Sequence, residues 1–340
     1  MAGAYHTGMT PESRPRVFVS RRISDAGRDR ILGETHADIW PDEMPPARDE
    51  LLRRVERVDG FLSMVSDRVD DELLDRAGPQ LKVVSNYGVG VDHIDVAACT
   101  RRGIAVGNTP GVLTETTADF AFALLMAVAR RIPEGYDFVR QDRWKAWSPL
   151  LLMGPDVHHA TLGVLGFGRI GREVAKRGRG FDMQVLYHAR QAAAPEDEAK
   201  LGTRRASLDD VLAQSDFISL HVPLSPETHH MINHETLARM KPSAILVNTA
   251  RGPVVDSDAL YEALRDGVIA GAALDVTEPE PLPGDHKLLG LPNCLVVPHI
   301  ASSSFATRAR MASIAAENLL AGLKQAPLPS FVNPEAYTPR

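Results

Sequence analysis

The segment TLGVLGFGRIGREVAKR, residues 161–177, constrains the fold of this chain more than any other stretch. It contains Gly166, Gly168 and Gly171 in the spacing GxGxxG, directly after a short apolar run and directly before a helical pattern. In that context the first glycine makes a tight turn, the second lets a pyrophosphate approach the backbone, and the third lets strand and helix pack closely. Because the phosphate then lies at the helix N-terminus, the segment predicts a dinucleotide-binding βαβ unit.

Short apolar runs alternate with helical patterns along most of the 340 residues, which is typical of α/β proteins with parallel sheets. A chain of this length favours two domains. We predict strands at 16–20, 60–65, 81–87, 104–108, 161–168, 183–189, 217–224, 244–250, 271–276 and 294–300. We predict helices at 49–57, 70–78, 114–132 and 306–323. The last of these could return to the first unit and make that domain discontinuous.

Composition excludes several classes of function. The chain has 38 basic and 44 acidic side chains, a formal charge of −6, which argues against a nucleic-acid partner. The apolar run 121–129 is far shorter than the ~20 residues needed to span a bilayer, so no membrane association is expected. Cys99 and Cys294 belong to no CxxC pattern, which indicates neither disulfides nor thiolate metal sites and favours the cytoplasm. Residues 1–15 lack the apolar stretch of a signal peptide and are expected to form a flexible tail.

A zinc site is the one metal hypothesis that the histidines raise. His230 and His234 have the i, i+4 spacing that can bind zinc on a helix. Because no convincing third ligand is near, surface histidines are favoured and no metal is expected.

The segment VLYHARQ, 185–191, bears on the choice of dinucleotide. A ribose-binding acid is expected about 20 residues after the first glycine, but the chain has His188, Ala189, Arg190 and Gln191 there. Arg190 offers a planar fork to a 2′-phosphate, and an acid that would repel this phosphate is missing. The segment therefore favours NADP, with NAD possible; the alternative is a solvated loop arginine.

Three further segments closely resemble the D-isomer-specific 2-hydroxyacid dehydrogenase family. They are NTARGPVVDSDAL (248–260), GAALDVTEPEP (271–281) and VVPHIASS (296–303), and residues 85–125 match the same family. Within it, the chain is most similar to bacterial glyoxylate/hydroxypyruvate reductases of the 2-ketoaldonate-reducing type. The resemblance implies two Rossmann-like domains with parallel sheets and an active site in the interdomain cleft. The expected domains are a discontinuous, flavodoxin-like substrate-binding domain (1–109 plus 302–340) and an NAD(P)-binding Rossmann domain (110–301).

The family's catalytic Arg, Glu and His correspond to Arg251, Glu280 and His299. A guanidinium can hold the carboxylate of a 2-keto acid and polarise the adjacent carbonyl. An imidazole can donate a proton to the alkoxide near neutral pH, and an acid at its other nitrogen stabilises the charged ring. Glu278 is the rival acid, but only Glu280 matches the family's spacing from the arginine.

The resemblance also assigns residues to binding. The substrate positions are Val65, Val89, Gly90, Arg251, His299 and Trp147, the last by reaching the neighbouring subunit's pocket or by packing in an interface. The cofactor positions are Thr117, Gly166, Phe167, Gly168, Arg169, Ile170, Gly171, His188, Ala189, Arg190, Gln191, Val222, Pro223, Thr228, Thr249, Ala250, Arg251, Asp275, His299 and Ala301.

The expected reaction is NAD(P)H-dependent reduction of short 2-keto acids, glyoxylate and hydroxypyruvate, to D-2-hydroxy acids by a homodimer. Formate dehydrogenases pair the histidine with Gln where this chain has Glu280, and phosphite dehydrogenases carry Lys where it has Val89. 2-Ketogluconate or another 2-keto acid remains an alternative substrate. A dinucleotide-sensing corepressor-type binding protein is a more distant alternative.

Overall fold

The structure, a computed structural model, describes residues 14–337. The predicted flexible tail, apart from its last two residues, lies outside this range. The chain divides into two compact units: the first ends at Leu113 and resumes at Ser304, and the second is Thr114–Ser303. Within residues 14–337, no helix combines the length and the apolar character that spanning a bilayer requires.

In the part of the chain that the structure describes, the first unit contains five strands and five α-helices. In chain order they are β1 (Arg16–Val19), α1 (Asp25–Glu34), β2 (His36–Ile39), α2 (Arg48–Arg54), β3 (Gly60–Ser63), α3 (Asp71–Ala77), β4 (Val83–Asn86), α4 (Val96–Arg101) and β5 (Ala105–Gly107), with the final helix, named α12 below, at Phe305–Leu323. The strands form a parallel sheet in the order β2-β1-β3-β4-β5. The final helix packs against α1, β3 and β4, so both ends of the described chain contribute to this unit.

The second unit contains seven strands and seven helices. They are α5 (Thr114–Ala129), α6 (Ile132–Arg140), β6 (Thr161–Leu165), α7 (Arg169–Arg179), β7 (Gln184–His188), α8 (Pro195–Leu201), β8 (Thr203–Arg205), α9 (Leu208–Gln214), β9 (Phe217–Leu220), α10 (His234–Leu237), β10 (Ile245–Asn248), α11 (Ser257–Arg265), β11 (Gly271–Leu274) and β12 (Cys294–Val296), followed in the first unit by α12 (Phe305–Leu323). Its strands are parallel in the order β12-β11-β10-β9-β6-β7-β8. The predicted α/β class with two parallel sheets is confirmed.

Both faces of the seven-stranded sheet are covered. Leu246 on β10 belongs to one apolar cluster, whereas its neighbours Ile245 and Val247 belong to a second cluster on the other face. Successive side chains of a strand point to opposite faces, so a strand buried on both sides is apolar throughout. The order of strands reverses between β6 and β9, and in open α/β sheets ligands bind at the carboxyl ends of strands at such a point.

Several boundaries differ from the predictions. The long helix predicted over 114–132 ends at Ala129, because Arg131 adopts a left-handed backbone (φ 50°), and α6 then begins at Ile132 with Pro133 in its first turn. The edge strands β2 and β8, together with α1 and α6, were not predicted. Each has few buried side chains, so the apolar periodicity that reveals a core element is weak there.

Candidate active site

The glycine turn has the close contacts that its spacing predicts. Gly166 follows β6 with φ +94°, and a Cβ there would lie 2.5 Å from the His221 carbonyl carbon after β9. A Cβ on Gly171 would lie 2.1 Å from the Gly166 carbonyl oxygen. Gly168, by contrast, has open space where its Cβ would be, directly before the first turn of α7. The residues present therefore fit a pyrophosphate at this helix N-terminus.

Four other predicted cofactor positions belong to the helices and to the aromatic packing of this unit. The side chain of Phe167 stacks on Tyr187 at a ring-centroid distance of 3.9 Å and is buried. Arg169 and Ile170 form the start of α7. Thr117 is buried near the start of α5.

The VLYHARQ segment ends β7 at the same edge of the sheet. The His188 carbonyl accepts a hydrogen bond from the Gly166 N–H (2.9 Å), and its Nδ1 lies 3.3 Å from the Ala206 carbonyl. Arg190 and Gln191 are exposed. Arg205 on β8, which the sequence did not single out, donates to the carbonyls of Ala189 (3.0 Å) and Arg190 (3.1 Å).

The loop after β9 carries Val222, Pro223 and Thr228. The Thr228 hydroxyl donates to the Pro223 carbonyl (2.6 Å) and accepts from the Ser225 N–H (2.8 Å), so it closes the loop on itself. A hydrogen bond from Ser225 is the largest influence that lowers the pKa of Glu227, and the positive charge of Arg190 adds to it. An acid, Glu227, therefore lies near Arg190. It belongs to the loop after β9, whereas the segment in which the sequence lacks an acid follows β7.

The loop after β10 presents Arg251. Asn248, which is fully buried, accepts from the Ala250 N–H (3.0 Å) and donates to the Arg251 carbonyl (2.9 Å). Thr249 keeps a buried hydroxyl without a hydrogen-bond partner among the described residues. Arg251 is half-buried, and its Nη1 donates to the Ala250 carbonyl at 2.8 Å. The loop thus holds a partly desolvated guanidinium at the carboxyl end of the sheet.

The loop after β11 presents Glu280 and lies directly against the Arg251 loop. A Cβ on Gly252 would lie 1.9 Å from the Thr277 carbonyl oxygen, so only glycine allows this approach. Glu280 Oε1 lies 2.5 Å from His299 Nδ1, and both side chains are about one-third exposed. Because the carboxylate accepts, Nδ1 donates, and Nε2 is left for a substrate.

Asp275 fixes the turn that carries the histidine. His299 has a left-handed backbone (φ 51°), and its N–H donates to the Asp275 carbonyl at 2.8 Å. The Asp275 carboxylate accepts from the N–H groups of Ile300 (2.7 Å) and Ala301 (3.0 Å). Burial raises the pKa of Asp275, and these two hydrogen bonds oppose the rise. The family resemblance implies that Asp275 is a cofactor position; the structure adds this positioning role.

Three of the predicted substrate positions lie in the first unit. Val65 and Val89 are exposed, and the carbonyls of Val89 and Gly90 accept from Asn108 and Asn86, each at 2.8 Å. Among residues 14–337, no acceptor takes the N–H of Val89 or Gly90. These two donors are therefore available to an anion.

The histidines considered for zinc have separate partners. His230 Nε2 lies 3.0 Å from Glu278 Oε2, whereas His234 Nε2 lies 2.9 Å from Glu262 Oε2. A different trio, His229, His230 and Glu278, has ligand atoms within 4.8 Å of one another. The rings of His229 and His230 stack at a centroid distance of 4.0 Å with a 26° interplanar angle.

Comparison with known proteins identifies the family. Residues 122–301 match the NAD-binding domain of D-isomer specific 2-hydroxyacid dehydrogenases. The chain is 51% identical to a glyoxylate reductase of Korarchaeum cryptofilum over 329 residues, which cover 96% of this chain and 98% of that protein. The chain belongs to the D-isomer specific 2-hydroxyacid dehydrogenases.

Other relatives agree with this assignment. A glyoxylate reductase of Thermococcus litoralis is 47% identical, with 96% of this chain and 98% of the relative covered. The crystal structure of a protein from Thermus thermophilus superimposes with a TM-score of 0.87 at 49% identity, covering 93% and 99% of the two chains. An NADPH-dependent glyoxylate/hydroxypyruvate reductase of Sinorhizobium meliloti, solved with NADP and malonate, gives 0.82 at 33% identity, covering 95% and 98%. The dehydrogenase is thus an NAD(P)-dependent oxidoreductase that acts on CH–OH groups.

Proposed function

We propose that this dehydrogenase reduces glyoxylate and hydroxypyruvate to the corresponding 2-hydroxy acids, the D isomer where the product is chiral, with NADPH preferred to NADH. The observation that carries the proposal is the 2.5 Å pair of His299 and Glu280, in the same unit as Arg251 and the glycine turn. The relatives named glyoxylate reductases, one of them NADPH-dependent, support the choice of substrate and cofactor.

The residues of this chain divide the work of the reaction. A bound nicotinamide dinucleotide supplies the hydride. Arg251 binds the substrate carboxylate and withdraws charge from the carbonyl, and the N–H groups of Val89 and Gly90 are further proposed carboxylate donors. His299 Nε2 donates the proton that the carbonyl oxygen takes up as hydride reaches C2. Glu280 holds the ring by Nδ1 and stabilises the imidazolium before transfer.

The NADPH preference rests on charge at the end of β7. Arg190 is exposed beside the glycine turn, and no acid occupies residues 188–191. Arg205 holds the Ala189 and Arg190 carbonyls, which limits the conformations of this loop. A 2′-phosphate gains a charge-assisted hydrogen bond from Arg190 that the 2′-hydroxyl of NADH does not.

A steady-state panel of glyoxylate, hydroxypyruvate, pyruvate and 2-ketogluconate, each with NADPH and NADH, tests the proposal. We expect the highest kcat/KM for the first two acids with NADPH. His299→Ala should lower kcat by about 10² to 10⁴, the usual contribution of general acid catalysis, while the dissociation constant for NADPH changes little. Turnover of the variant at the wild-type rate would reject His299 as proton donor, and negligible turnover of every acid by the wild type would favour a dinucleotide-sensing role.

We also propose a homodimer, because a large apolar surface of the second unit is uncovered. Ile132, Tyr136 and Val139 lie along one side of α6 and are 53–61% exposed. The following segment exposes four more large apolar side chains, Trp144, Trp147, Leu150 and Met153, and clustered exposed apolar residues are typical of protein–protein interfaces. Trp147, at 80% exposure, is then available to a second copy.

Sedimentation velocity tests the dimer. The wild type should sediment as a dimer, and Tyr136→Asp with Val139→Asp should shift it toward the monomer, because buried unpaired charges oppose association. Phe305→Asp is a suitable control, since this fully exposed side chain lies in the other unit. A monomeric wild type would contradict the proposal.

A reducing, cytoplasmic location is proposed as well, because Cys99 and Cys294 are unpaired.

A further inference from the structure

A second His–Glu pair lies two residues from the catalytic Glu280. His230 Nε2 and Glu278 Oε2 are 3.0 Å apart, and because a carboxylate accepts, the histidine donates. Glu278 and Glu280 thus bind two different histidines from one short segment, 277–281. The family's motif predicted the pair of Glu280 with His299, whereas that motif assigns no role to the pair of Glu278 with His230.

His230 is fixed by its own backbone. It has a left-handed conformation (φ 49°), which is uncommon for a residue with a side chain and is maintained only when its surroundings enforce it. Its N–H donates to the Pro253 carbonyl (2.8 Å), two residues after Arg251. Its carbonyl accepts from Asn233 Nδ2 (3.0 Å). The imidazole therefore projects from a backbone that is bonded to the Arg251 loop.

The segment 277–281 is held from the same side. The Thr277 carbonyl lies against Gly252, and the Ser257 hydroxyl donates to the Glu278 carbonyl at 3.0 Å. These contacts restrain the backbone before Glu280, and the His230–Glu278 pair adds a side-chain restraint at the same point. Three loops, those after β9, β10 and β11, are joined there.

We propose that His230 and Glu278 are positioning residues, whose hydrogen bond holds segment 277–281 so that Glu280 faces His299. The inference rests on the proposed function, because it assumes that Glu280 and His299 carry out proton transfer. The pair is itself partly exposed (38% and 39%), and exposed pairs contribute little to stability. Its effect should therefore appear in turnover rather than in folding, since small displacements of a catalytic group cost rate steeply.

The test compares His230→Ala and Glu278→Ala with the conservative variants His230→Gln and Glu278→Gln. We expect each alanine variant to lower kcat for glyoxylate about tenfold or more, with less than about a threefold change in the NADPH dissociation constant and a melting temperature within about 2 °C of the wild type. The glutamine variants keep a donor or an acceptor and should recover most of the loss. The double alanine variant should lose no more than either single one, because both remove the same restraint.

The comparison of kcat with KM separates positioning from a general structural effect. Glu280 acts on proton transfer through His299, whereas Arg251 binds the substrate carboxylate, so the alanine variants should lower kcat for glyoxylate and leave its KM within about threefold of the wild type.

His234 and Glu262 provide the matched control, an exposed pair of the same chemistry at 2.9 Å in the same unit. His234→Ala and Glu262→Ala should leave kcat and KM unchanged. Wild-type kcat in His230→Ala would overturn the inference, as would equal losses in the control variants. A wild-type protein that reduces no 2-keto acid would instead overturn the proposed function.

Discussion

Two histidines of the second unit show how surroundings decide what an imidazole can do. His299 is partly exposed and donates through Nδ1 to Glu280, which leaves Nε2 for a substrate. Burial lowers the pKa of His221 to about 3, and its Nδ1 is shielded without a partner among the described residues. His221 is therefore neutral at physiological pH and takes no part in proton transfer, although it lies beside the glycine turn.

The proposed preference for NADPH leads to a prediction about Arg190. Arg190→Ala should weaken NADPH binding by roughly 10- to 100-fold, the effect of losing a hydrogen bond to a charged group, and NADH binding by less than about twofold. Dissociation constants from quenching of protein fluorescence measure both. Arg204→Ala is the matched control, because this exposed arginine on β8 bonds to Gln214 instead. Equal losses for the two dinucleotides would show that Arg190 is a solvated loop residue.

At the scale of elements, function depends on loops that follow parallel strands. The loops after β10 and β11 touch at Gly252, and the turn after β12 is fastened to β11 by Asp275. Each proposed catalytic side chain thus belongs to a loop at the carboxyl end of a parallel strand. Such loops are positioned by the rigid sheet beneath them.

The variant Gly252→Ala tests whether activity depends on the contact between these two loops. Gly252→Ala places a Cβ 1.9 Å from the Thr277 oxygen, so the two loops must separate. We expect kcat for glyoxylate to fall by roughly 10² and the melting temperature to fall by several degrees, since an overpacked contact costs about 1–3 kcal/mol. Gly284→Ala is the control, because no atom lies within 4 Å of a Cβ there. A fully active Gly252→Ala variant would show that the contact is dispensable.

The sequence predicted the elements that have a strong apolar pattern and the residues that belong to long motifs. All six strands predicted in the second unit are present, because most of them are buried on both faces and therefore have a nearly continuous apolar sequence. The His299–Glu280 pair could be predicted because both residues lie in family motifs. Arg205 and the partnership of His230 with Glu278 could not, because they join residues 15–48 positions apart through loop conformations that no local pattern encodes.

At the scale of the whole molecule, His221 links stability to pH. Its pKa is near 6.5 when unfolded and about 3 when folded, so the unfolded chain binds an extra proton between these values. The stabilisation is complete above pH 6.5 and is lost as the pH falls toward 3, by up to about 1.4 kcal/mol per pH unit.

Urea unfolding at pH 7, 6 and 5 measures this effect. The wild type should lose stability more steeply with falling pH than His221→Asn, which has no titrating group at this position. His158→Asn, at an exposed histidine, should keep the wild-type slope. Identical slopes for wild type and His221→Asn would contradict the assignment.

The backbone at His299 also limits how this enzyme can evolve. Beyond glycine, the left-handed conformation is tolerated best by Asn, Asp and His, and β-branched side chains are strongly disfavoured there. Among those four residues, only histidine exchanges a proton readily at neutral pH. A single substitution can therefore remove the proposed proton donor at this position, but it cannot introduce a different one without backbone strain. New acid–base chemistry at residue 299 therefore requires a different backbone conformation in the turn that Asp275 holds.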